Sequence, residues 1–89
     1  AFLGDLELAR FLADQGLEPE RALGEARAAW EAAPNQPAAH TLAWCLYRAG
    51  HFDEAAEWIA RAMTSNIADP ELHYHSGLIH LARNQRTSA

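Results

Sequence analysis

Leu42-Ala43-Trp44-Cys45-Leu46-Tyr47-Arg48-Ala49-Gly50-His51-Phe52-Asp53-Glu54-Ala55-Ala56-Glu57-Trp58-Ile59-Ala60-Arg61-Ala62 is the stretch whose reading decides the fold. Leu42, Ala43 and Leu46 form one stripe of a helix, and Ala55, Ile59 and Ala62 form one stripe of another, both at helical spacing. Gly50 stands between them, and glycine readily takes the left-handed conformation that stops a helix. Asp53 and Glu54 then put negative charge where a helix N-terminus favours it. The segment reads as helix, stop, helix.

Working outward, the pattern repeats. Leu8-Ala9-x-x-Leu12, Leu42-Ala43-x-x-Leu46 and Ser76-Gly77-x-x-His80 recur every 34 residues, as do the punctuating Gly16, Gly50 and Asn84. A second series, Ala22-x-x-x-Ala26-x-x-Ala29 and Ala55-x-x-x-Ile59-x-x-Ala62, is offset by 33. The first inner turn is therefore one residue longer than the second, and the link after its second helix one shorter. Pro19, Pro37 and Pro70 suit first helical turns, and Asp69 suits a cap. The spacing predicts helices over 3–15, 19–33, 37–49, 52–65 and 70–83.

Composition agrees. Twenty Ala, eleven Leu and no Val, with β-branched residues confined to Ile59, Ile67, Ile79, Thr41, Thr64 and Thr87, make a poor stock for strands and an all-α chain. Eighty-nine residues make at most one domain that buries about 60% of its unfolded surface, too little for a roomy interior active site. The first residue is Ala, and the last patterned segment ends close to the C-terminus, so a fragment of a longer protein is expected. Seven Arg, no Lys and twelve carboxylates leave a net charge of −5, which disfavours nucleic acid and membrane surfaces as partners. No apolar run approaches the roughly 18 residues of a membrane span, and Ala1–Arg10 lacks a basic stretch before an apolar one. A soluble chain with no visible address is the expectation. The abundance of Ala and Arg hints at a GC-rich, bacterial source.

With these residues in view, the chain resembles the tetratricopeptide repeat (TPR) family, whose units are 34-residue helix pairs. The likeness covers repeat 1 at about 2–35, repeat 2 at about 36–69 and the first helix of a third repeat at about 70–83. It is densest over Leu42–Ala62. Asp5, Ala39 and His73 stand where the family has a bulky aromatic early in each first helix, and Ile67 stands where Pro usually closes a repeat. The resemblance implies an all-α, right-handed superhelical solenoid of helix-turn-helix repeats, with first helices lining a concave groove. It also implies protein–protein interaction rather than catalysis.

The helical wheel supports two working faces on the middle first helix. Ala39, Leu42, Ala43 and Leu46 suit packing, whereas His40, Trp44, Tyr47 and Arg48 share another face. The equivalent face carries Glu71, Tyr74, His75 and Leu78 on the last helix and Leu6, Glu7, Arg10 and Asp14 on the first. A partner groove is therefore expected from Arg10, His40, Trp44, Tyr47, Arg48, Glu71, Tyr74, His75 and Leu78, partly exposed, with Trp44 weighed between neighbour packing and partner contact. Trp30 and Trp58, on second helices, are expected to be packing residues. The groove residues Arg10 and Arg48 lie beside Glu7, Asp14 and Glu71, and Lys is absent, so the expected ligand is an apolar or basic protein segment rather than an acidic tail.

Five histidines raise the question of metal. No two lie at i, i+4, and His73 and His80 are two turns apart, too far to chelate one ion. No tight zinc site in the monomer is expected, and further ligands would have to come from another chain. No Gly-rich phosphate loop or nucleophile turn is present, no cofactor is called for, and lone Cys45 reads as a buried hydrophobe. The function these residues favour is a non-catalytic interaction module. The alternatives are a docking segment of a larger enzyme or a His-dependent metal or assembly site, and a homodimer through the last helix is the expected form of self-association.

Overall fold

The computed structural model describes residues 4–64 and 68–88. They form five helices with no strand among them: α1 (Leu6–Gln15), α2 (Pro19–Ala32), α3 (Gln36–Arg48), α4 (Phe52–Met63) and α5 (Pro70–Ser88). The expected end of the fourth helix at 65 and the substituted Ile67 lie outside the described residues.

The two inner stops repeat at atomic detail. At the end of α1, Gly16 adopts φ +69°, and its N–H and that of Leu17 bond the carbonyls of Ala13 and Leu12. Gly50, at φ +89°, and His51 bond Tyr47 and Leu46 in the same way. Both satisfy carbonyls that a helix end otherwise leaves open. The extra residue of the first turn is Glu18, which enters the left-handed region at φ 41° before Pro19 starts α2.

Start signals behave as their chemistry requires. The side chains of Asp5, Asn35 and Asp69 accept from the backbone N–H groups of Leu8, Ala38 and Glu71 at 3.0 Å each. The Asp5 cap places the first helix at Leu6, three residues later than the spacing predicts. At the other end, α5 continues through Asn84 to Ser88, so the expected stop at 84 is not one. Asn tolerates the left-handed conformation but does not impose it, and the following Gln and Arg favour helix.

First helices pack side by side, α1 on α3 and α3 on α5, while α2 and α4 each pack against their flanking first helices. The result is a slab of 43 × 29 × 18 Å. Ala9, Ala22, Ala26, Ala43, Ala55 and Ala62 are each wholly buried, so small side chains set close helix spacing. Leu42, Leu46, Ile59, Leu72 and Ile79 fill the space that remains, each burial worth about 1.5–3 kcal/mol. The expected stripe of Ala39, Leu42, Ala43 and Leu46 is buried throughout. Trp30 and Trp58 meet edge to face at 4.8 Å, with the Arg61 guanidinium 4.6 Å from the Trp58 ring. On α5, His73 and His80 fall on the exposed side, Leu78 is half-buried and Leu81 is exposed.

Candidate functional site

The expected groove residues divide into two groups. Like His75 of α5, at 4%, His40 and Trp44 are only 6% and 8% exposed, which corrects the expectation that they line a partly open surface. The helical wheel places them on the correct face of α3, but α1 and α5 close over that face from either side.

Trp44 is the centre of the closed group. Its indole N–H donates to the Asp14 carboxylate on α1 at 2.8 Å. Its ring lies flat on the His75 ring of α5, 3.9 Å between centroids and 9° between planes. Tyr47 stacks on it at 5.1 Å and also touches Phe52 at 5.8 Å. His75 in turn meets His40, whose Nε2 lies 2.8 Å from His75 Nδ1. One ring donates and the other accepts, so the pair is satisfied when both are neutral. Burial is the main cause lowering both histidines below the usual imidazole value, His75 to about 4, where the neighbouring His40 adds to the effect.

Charged groups border this core. Arg10 on α1 bonds both Asp14, one turn on, and Glu71 on α5. The Arg10 bond holds the Glu71 carboxyl below its ordinary value, and Glu71 does most to raise the guanidinium. The three first helices are thus tied by Arg10, Asp14, His40, Trp44, Glu71 and His75. A carboxylate oxygen of Glu71 and one ring nitrogen each of His40 and His75 lie within 4.8 Å of one another. Three groups of the kind that ligate metals thus come together within one chain, the histidines facing each other across two helices rather than along one.

The remaining expected residues do other things. Arg48 Nε–H donates to the Ala13 carbonyl at 2.8 Å, a cation capping the C-terminal end of α1. Tyr74 is 65% exposed and tilted towards His75. Cys45 is buried and donates to the Ala9 carbonyl at 3.7 Å, with burial pushing its thiol up to about 12.

Of the neighbouring surface, sequence reasoning placed Leu6, Glu7, Arg10 and Asp14 on the groove face of the first helix and missed Phe11, Pro37 and Thr41. A shallow groove of about 430 Å³ runs between α1 and α3, lined by Leu6, Glu7, Arg10, Phe11, Asp14, Pro37 and Thr41. Phe11 is 55% exposed. It follows Arg10 and precedes the buried Leu12, and an apolar residue off the main stripe was the available signal. A signal for the histidine pair was available too: His40 and His75 are 35 residues apart, close to one repeat, which sets them on adjoining first helices.

Among known proteins, the family model described as tetratricopeptide repeat matches residues 12–74. No curated protein and no solved structure matches the chain.

Proposed function

Because the chain belongs to the tetratricopeptide repeat family, we propose that it is a non-catalytic module that binds a protein segment along its first helices, in the groove between α1 and α3. The observation that carries the reading is Phe11, a large apolar side chain left 55% exposed beside Leu6 and Pro37 in a surface depression. Aromatic anchors at the centre of such depressions commonly supply much of the binding energy. Glu7 and Asp14 edge the same depression, and Arg10 is engaged with Asp14 and Glu71. The ligand that fits is a segment presenting an apolar side chain to Phe11 and a Lys or Arg to the acidic edge.

Selection of random peptides displayed on phage tests this directly. Enriched sequences should pair an apolar anchor with a basic residue, and their affinity should fall about tenfold or more for Phe11→Ala at unchanged melting temperature. Enrichment of acidic peptides, or affinities indifferent to Phe11→Ala, would count against the groove.

A further inference from the structure

We propose that His40, His75 and Glu71 form a binding site for a divalent cation of the zinc type, with two imidazole nitrogens and one carboxylate oxygen as ligands. Both ring nitrogens already face one another at 2.8 Å, and the Glu71 oxygen completes a set whose members all lie within 4.8 Å. Zinc held by nitrogens at about 2.0–2.1 Å in tetrahedral geometry separates two such ligands by about 3.3 Å. The rings need to part by roughly half an ångström and to turn so that both lone pairs converge on the ion rather than on each other.

The surroundings meet the other requirements of a metal site. Ligating imidazoles must offer an unprotonated nitrogen, and the 2.8 Å hydrogen bond between the two rings requires that one of the facing nitrogens is already an acceptor. The ring that donates in the present pair passes its hydrogen to its other nitrogen through solvent, which leaves both facing lone pairs for the ion. Ligands also need holding in place from behind. His75 is seated on Trp44, Trp44 is held by Asp14, and Glu71 is held by Arg10. His40 and His75 are buried while Glu71 is exposed, so the fourth position opens toward solvent and takes water.

Calorimetric titration of the chain with zinc chloride at pH 7.4 should give one site per chain with a micromolar or tighter Kd. Affinity should drop in Glu71→Gln by at least the roughly 10- to 100-fold that loss of a group supporting a ligand costs and by more in His40→Gln or His75→Gln, while His73→Ala/His80→Ala binds as the unaltered chain does. The buried histidines also pack, so proton NMR of the unaltered chain supplies a readout independent of mutation. Zinc should move the Cε1–H resonances of His40 and His75 alone among the five histidines. Absence of stoichiometric binding overturns the proposal, as would movement confined to His51, His73 or His80, or undiminished affinity in a folded His75→Gln chain.

Discussion

Trp44 shows how one side chain can belong to three helices at once. It is rooted in α3, bonded to Asp14 of α1 and stacked on His75 of α5, so its removal opens a cavity and breaks a tie between two helices in the same step. Trp44→Ala should therefore cost about 3–5 kcal/mol, read as a lower denaturant midpoint in a circular-dichroism unfolding curve. Trp44→Phe keeps an aromatic face for His75 and removes the indole donor, while Asp14 keeps Arg10 and solvent; it should cost about 0.5–1.5 kcal/mol. Equal stability of all three chains would mean that the indole is not a core residue. Its face was legible from spacing, but its burial was not, because a wheel drawn for one helix carries no information on what covers it.

At the level of elements, local chemistry and chain position agree most closely at the stops. Gly16 and Gly50 end α1 and α3 with the same pair of hydrogen bonds, as their 34-residue spacing predicts, and the one-residue difference between the inner turns is the left-handed Glu18. Asn84 carries no such obligation, and α5 runs through it. Gly24 is the converse case, a glycine inside α2 where no turn needs it, with open space where an alanine methyl would sit. Gly24→Ala should remove backbone freedom from the unfolded chain and stabilise the protein by about 0.5–1 kcal/mol. A rise in melting temperature of about 3–6 °C is the corresponding thermal readout; a fall would mean that α2 requires the glycine.

For the whole molecule, the layer of first helices is joined by groups whose protonation matters. His40 and His75 face Arg10 and Asp14 from α1, and Glu71 and Asp69 at the start of α5. Their folded-state values lie below the unfolded 6.5, so the unfolded chain binds more protons in that range. The stability they contribute is complete above about pH 6.5 and is lost as pH falls below it, for His75 down toward 4. For His75 the shift to about 4 corresponds to something on the order of 3 kcal/mol. Chemical denaturation from pH 7.5 to 4.5 should show this fall, with a shallower slope in His75→Gln; a stability independent of pH across that window would mean that the imidazoles are free to charge. The all-α class, the helix pairs, both glycine stops and the buried alanine stripe were determined by the sequence alone, because helical period and capping are short-range properties. Tertiary structure alone decided that Trp44 is covered, that Phe11 is left exposed and that His40 meets His75. Those outcomes depend on the distance and angle between helices a full repeat apart, which summed packing sets and no local spacing records.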